Sequence, residues 1–208
     1  MRILLDGTEC AGAADSVGAA VELGMDEARD QGRVVVQIDV DGRTLTMEQL
    51  HDAGFLSGGA EVVEVTSLTE REMLLAALEL GRNAIEVSQG HFTRSAELIQ
   101  AGDQATALVE LGNGIELWRT IEETVFRDAV PRVPLASLEA RLGTHLAELR
   151  TALETMSTAV GTGDLVALSD ALMYEFPRTS ATWTEFLGEC MRSVEKHGTS
   201  KGTEEGQP

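Results

Sequence analysis

AEVVEVTSLTEREMLLAALEL, residues 60–80, is the stretch that decides the fold, because its hydrophobic pattern changes partway along. Residues 60–66 alternate between apolar and polar side chains, as a half-buried strand does. From Thr69 onward the apolar residues recur at helical spacing, and Thr69 and Glu72 match the capping box that begins many helices. The stretch therefore predicts an α+β protein, with a sheet before Thr69 and helices after it.

Short strands and tight turns are predicted for residues 1–67. Asp6-Gly7 and Asp41-Gly42 are strong two-residue turn signals, and RVVVQIDV is rich in the β-branched residues that strands favour. The predicted elements are strands at 2–5, 8–10, 33–40, 43–46 and 60–66, a helix from Val17 to near Gly32, one helical turn at 47–52, and a loop at 54–59.

This order of elements resembles the ubiquitin-like β-grasp fold, in which a mixed sheet wraps a single helix. DGRTL at 41–45, followed by a helical turn and a last strand, lies where that fold has similar pieces. The resemblance covers residues 1–67 and implies a small β-grasp-like head with a mixed sheet. The carboxyl-terminal Gly-Gly that ubiquitin uses for conjugation is missing, so the resemblance implies no conjugating activity.

Apolar residues at helical spacing continue from residue 68 to residue 197. Gly102-Asp103 and Gly163-Asp164 each combine a helix-ending glycine with a helix-capping aspartate, and PRVP at 131–134 interrupts the pattern between them. This spacing predicts two helical hairpins that form an antiparallel four-helix bundle, with a kink or break at Pro177. The polar residues 198–208 are predicted to be a disordered tail.

The composition narrows the classes of partner. The chain has 35 acidic and 16 basic residues, a formal net charge of −19, so it lacks the basic surface that nucleic acids and anionic membranes require. No apolar run is long enough to cross a membrane and no signal-peptide core is present, so a cytoplasmic protein is expected. Cys10 and Cys190 are expected to be free thiols.

One segment partly matches a calcium-binding loop. QIDVDGRTLTME, residues 37–48, places Asp39, Asp41 and Glu48 at ligand positions of that loop. The first ligand position holds Gln37 instead of aspartate, and the preceding residues have a strand pattern where the loop needs a helix. The preferred interpretation is a hairpin turn, with no metal and no cofactor.

Other candidate sites have weaker support. Glu48 and His51 have the spacing of a di-iron motif, but only one such pair exists and it lies outside the helical region. His51, His91 and His145 show no metal-ligand spacing, and no catalytic residue is predicted. Trp118 and Trp183 lie at core spacing, and the alternative is that they anchor a protein partner.

The leading functional hypothesis is a non-catalytic protein-interaction module, an acidic adaptor, regulator or chaperone-like protein that acts through its sheet edge or bundle grooves. The helical part resembles the cytoplasmic helical chaperones of flagellar and secretion systems. The overall layout resembles that of bacterial proteins of unknown function. A leucine seam at 138–160 predicts a homodimer. The alternative hypothesis is an enzyme that binds a small molecule or metal between head and bundle.

Overall fold

The computed structural model describes residues 1–199. Its contacts divide the chain into two compact units, Met1–Met73 and one that begins at Leu74, whereas the sequence placed the boundary at residue 67. Residues 198 and 199 of the expected tail belong to the last helix, and the rest of that tail lies outside the described residues.

The first unit contains a five-stranded mixed sheet. Its strands are β1 (Arg2–Leu5), β2 (Thr8–Glu9), β3 (Arg33–Val40), β4 (Arg43–Thr44) and β5 (Val62–Thr69), in the spatial order β2-β1-β5-β3-β4. β1 and β5 run parallel, and the other neighbouring strands run antiparallel. The mixed sheet that the β-grasp resemblance implied is therefore present.

One long helix, α1 (Val17–Asp30), packs against this sheet and completes its core. Gly24 allows the close approach, because a Cβ at this position would lie 2.6 Å from a methyl group of Val65. The one-turn helix α2 (Met47–His51) follows β4, as expected. A second short helix, α3 (Ala53–Leu56), occupies part of the segment predicted as a loop, because Asp52 caps it by accepting a hydrogen bond from Gly54 N–H.

The second unit is mostly helical. The helices are α4 (Glu70–Ala101), α5 (Gln104–Ile121), α6 (Leu138–Thr162), α7 (Leu165–Asp170) and α8 (Phe176–Thr199). Two π-helical segments, Glu122–Ala129 and Ala171–Glu175, extend α5 and join α7 to α8. A π-helical segment lies just before Pro177, where the sequence predicted a kink or break, and the helical backbone continues through it into α8. The π-helical segment after α5 was not expected.

The predicted helix ends are confirmed in atomic detail. Thr69 Oγ1 accepts a hydrogen bond from Glu72 N–H, and the Glu72 carboxylate accepts one from Thr69 N–H, which completes the capping box. Gly102 and Gly163 adopt φ of +84° and +69°, which suits a residue without Cβ. Asp103 and Asp164 then cap α5 and α7.

Side-chain contacts show which helices pack together. Ser88 and Ser95 on α4 donate hydrogen bonds to Gly114 O and Ala107 O on α5, so these two helices run antiparallel. Phe92 lies at this contact, fully buried, with its ring against the backbone of Gly114. Most of the large buried side chains of the unit, including both tryptophans, join one core.

Candidate functional site

The outer edge of β3 is only partly covered by its neighbour. β4 pairs with Asp39 and Val40, and Leu45 N–H donates one further hydrogen bond to Ile38 O. Along Arg33–Gln37, no strand within residues 1–199 pairs with this side of β3. We call this open segment the β3 edge.

Two valines are exposed on the β3 edge. Val34 and Val36 each retain 49% of their accessible surface. The register explains this exposure: Val35 lies opposite Ser67 and Gln37 opposite Thr66, so Val36 is the extra residue of a β-bulge. The β3 edge therefore presents unpaired backbone groups together with apolar side chains.

Negative charge lies next to the β3 edge. Asp39 accepts hydrogen bonds from Thr44 Oγ1 at 2.6 Å and from Gln37 Nε2 at 2.7 Å. The hydrogen bond from Thr44, followed by that from Gln37, lowers the pKa of Asp39, so this carboxylate stays ionised at neutral pH. Glu64 lies directly opposite Asp39 on β5, and like charges in that arrangement repel.

The other end of the β3 edge is held by a polar network. Arg33 Nε donates to Ser67 Oγ at 2.8 Å, and its guanidinium lies 3.1 Å from Asp6 and 3.6 Å from Glu72. Asp6 also accepts hydrogen bonds from both Ser67 N–H and Ser67 Oγ. The Arg33 side chain thus joins β3 to the β1–β2 turn, to β5 and to the start of α4.

The residues that matched a calcium loop have structural roles. Asp41 and Gly42 form the predicted hairpin turn between β3 and β4, with φ of +50° and +76°. Asp41 Oδ1 accepts hydrogen bonds from Glu61 and Val62 N–H, both at 2.9 Å. Glu48 lies apart from them, in the first turn of α2. Over residues 1–199, no group of three His, Cys, Asp or Glu side chains is arranged to hold a metal ion.

Trp118 and Trp183 lie in the core of the helical unit. Their exposed fractions are 2% and 0%, and Trp183 stacks on Phe126 with a centroid distance of 3.8 Å. A partner anchor has to reach the surface, whereas the structure packs both indoles against other aromatic rings. Neither indole is therefore at the surface of the helical unit.

The candidate histidines lie in three different environments. His51 Nδ1 is 2.7 Å from Met47 O on its own helix, and His91 Nδ1 is 2.6 Å from the carboxylate of Glu110 on α5. His145 packs against Phe186 and Trp183, with centroid distances of 4.8 and 5.5 Å. Each histidine thus has its own set of partners.

Sequence reasoning missed Val34 and Val36 as surface residues. A signal was present in VVV at 34–36, because three consecutive apolar residues on a strand with alternating faces leave at least one outside a one-sided core. The sequence did not reveal that β4 would be too short to pair with Arg33–Gln37.

Comparisons with protein-family models, curated proteins and solved structures found no match to this chain. Among the helices described, none combines the length and hydropathy of a membrane span. The evidence for the β3 edge as a candidate site therefore comes from the structure alone.

Proposed function

We propose that this protein is a non-catalytic protein-interaction module, an acidic adaptor or regulator, whose β3 edge receives a strand from a partner protein. The observation that carries the proposal is the unpaired β3 edge with two half-exposed valines at its centre. Backbone donors and acceptors of an open strand are complementary to those of another strand.

The side chains of the β3 edge support this use. Proteins commonly protect open edges with lysine, proline, inward-pointing charge or a β-bulge; the β3 edge has the bulge, but Val34 and Val36 are apolar. Covering the exposed half of each valine contributes roughly 1 kcal/mol per residue. The bulge at Val36 interrupts the regular ladder and limits the length of strand that can pair there.

Differential affinity capture tests the proposal. The tagged protein is compared with a Val34→Lys/Val36→Lys variant, and Val166→Lys serves as the matched control because Val166 on α7 is 73% exposed. We expect a captured protein that the control retains and the double variant loses, with unchanged thermal unfolding of both variants. Equal capture by all three chains, or none by the wild type, would overturn the proposal.

Two further proposals concern assembly and location. The half-buried leucines of the seam and Val160, which is 42% exposed, support a homodimer through α6, to be tested by sedimentation equilibrium. The two free cysteines are typical of a reducing compartment and support a cytoplasmic location, to be tested by fractionation of the native host. A monomer across the concentration range, or recovery outside the cytoplasm, would contradict the respective proposal.

A further inference from the structure

The β3 edge has features that specify the chemistry of what binds it. We propose that its partner is an extended peptide segment with apolar side chains beside Val34 and Val36 and, at the end next to β4, a lysine or arginine that reaches Asp39. This inference rests on the proposed function, since it names the partner of the same site.

The extended conformation follows from the backbone. The outward N–H and C=O groups between Arg33 and Gln37 lie along a short strand segment with one bulge at Val36, and a short second strand satisfies such groups. The backbone groups of a helix already bond to one another, so a docked helix would leave the N–H and C=O groups of the β3 edge unpaired. The partner therefore contributes a short stretch of strand rather than a helix.

The apolar preference follows from the exposed valines. Side chains on an added strand lie about 5 Å from those directly opposite, within reach of Val34 and Val36. β-branched or aromatic side chains pack best against valine in such cross-strand pairs. A polar segment would cover the same backbone and gain little from the two side chains.

The basic preference follows from Asp39 and Glu64. These two carboxylates face each other across β3 and β5, and neither forms an ion pair within 4 Å in the part of the chain that is described. A cation next to Asp39 relieves the repulsion between them. The 13 acidic and 4 basic residues of positions 1–67 add an attractive field for a basic segment.

The same charges disfavour a second copy of the chain on this edge. Pairing of two β3 edges would bring together two heads that each carry 13 acidic and 4 basic residues over positions 1–67, along with both Asp39 side chains. A basic partner gains from this field, whereas a second copy is repelled by it. Pairing of two β3 edges is therefore the outcome that the test must exclude.

Three synthetic nine-residue peptides test the inference against the isotopically labelled full chain. The first, the valine–lysine peptide, has valine at alternate positions and lysine at the last of these, on the same strand face and next to Asp39, because Val34 and Asp39 share a face of β3. The second, the valine–glutamate peptide, has glutamate in place of that lysine, and the third is the valine–lysine peptide with N-methylated backbone amides. Backbone amide shifts of residues 33–37 locate binding, and titration gives the dissociation constant. The Val34→Lys/Val36→Lys variant and the Val166→Lys control are titrated in parallel.

We expect the valine–lysine peptide to shift the β3 amides and the N-methylated peptide to leave them unchanged. The double variant should bind about twofold to thirtyfold more weakly than the Val166→Lys control, the range expected for two lost cross-strand pairs. Binding of the valine–glutamate peptide should be weaker than that of the valine–lysine peptide, and added salt should narrow the difference.

The other outcomes separate the inference from the proposed function. Equal binding of the lysine and glutamate peptides would overturn the basic preference. Failure of the valine–lysine peptide to shift β3, while captured protein still depends on Val34 and Val36, would overturn the partner chemistry and leave the interaction module standing. A concentration-dependent dimer abolished by the double variant would overturn the inference in favour of a second copy.

Discussion

Replacement of Gly114 by alanine should destabilise the helical unit, although alanine is the better helix former. A Cβ at this position would lie 2.4, 2.7 and 3.0 Å from three ring carbons of Phe92. Ordinary carbon contacts are about 3.5 Å or longer, so the ring would have to move by about 1 Å. Phe92 is fully buried and packs edge-on against Phe176 with a centroid distance of 4.5 Å, so its movement disturbs a second ring.

The expected magnitude combines two opposing effects. Overpacking in a closed core costs about 1–3 kcal/mol, and the rigid surroundings of Phe92 favour the upper end. Alanine recovers about 1 kcal/mol of helix propensity relative to glycine. The free energy of unfolding of the helical unit should therefore fall by about 2 kcal/mol.

Gly112→Ala is the matched control, because it lies on the same helix and a Cβ there meets nothing within 4 Å. This variant should be more stable than the wild type by up to about 1 kcal/mol. Urea unfolding followed by tryptophan fluorescence is the assay, since both tryptophans, Trp118 and Trp183, lie in the second unit. Equal stability of the two alanine variants would refute the close packing of α4 and α5 at Phe92.

Two further predictions concern titratable groups. Asp6→Asn should lower the stability of the head by about 1 kcal/mol at pH 7, a modest value because the pair is partly exposed. Burial acts to raise the pKa of Asp6, but hydrogen bonds from Ser67 and the charge of Arg33 outweigh it and lower the pKa. The wild-type advantage should thus be complete from about one pH unit above the ordinary pKa of 3.8 and vanish as the pH falls through the lowered pKa, as measured by hydrogen exchange of the β5 amides. Ellman's reagent should modify Cys10 alone in the native chain, because Cys190 is fully buried and burial raises its pKa to about 11.

Controls accompany both predictions. Asp15→Asn, at an exposed carboxylate, should leave the pH profile of the β5 amides unchanged, and the reasoning fails if Asp6→Asn shows the wild-type profile. Cys10→Ser should leave no reactive thiol in the native chain and one in guanidinium chloride. Two thiols reacting in the native wild type would contradict the buried position of Cys190.

Features that depend on neighbouring residues were predictable from the sequence. The capping box at Thr69, the two Gly-Asp helix ends and the Asp41-Gly42 hairpin each need only a few adjacent residues to bring their hydrogen-bonding groups together. The α+β division follows from the same local logic, because hydrophobic period differs between strand and helix.

Features that depend on distant residues were not predictable in the same way. The exposure of Val34 and Val36 arises from the register of β3 against β5 and from the shortness of β4, and no local pattern determines either. The π-helical segment at Glu122–Ala129 places Phe126 on Trp183, a residue far along the chain. The β3 edge could therefore be identified only from the pairing of the strands in the sheet.

The position of β5 has a consequence for synthesis of the chain. β5 lies between β1 and β3, so within the sheet it is the strand that joins the β1–β2 hairpin to the β3–β4 hairpin. At a translation rate of about 5–20 residues per second, β5 is synthesised several seconds after β1, its parallel neighbour. Until β5 leaves the ribosome, both hairpins expose the strand edges that β5 later covers. During that interval the nascent head is most accessible to chaperones and most prone to wrong strand pairing. The interval ends when β5 completes the sheet, just before α4 is synthesised.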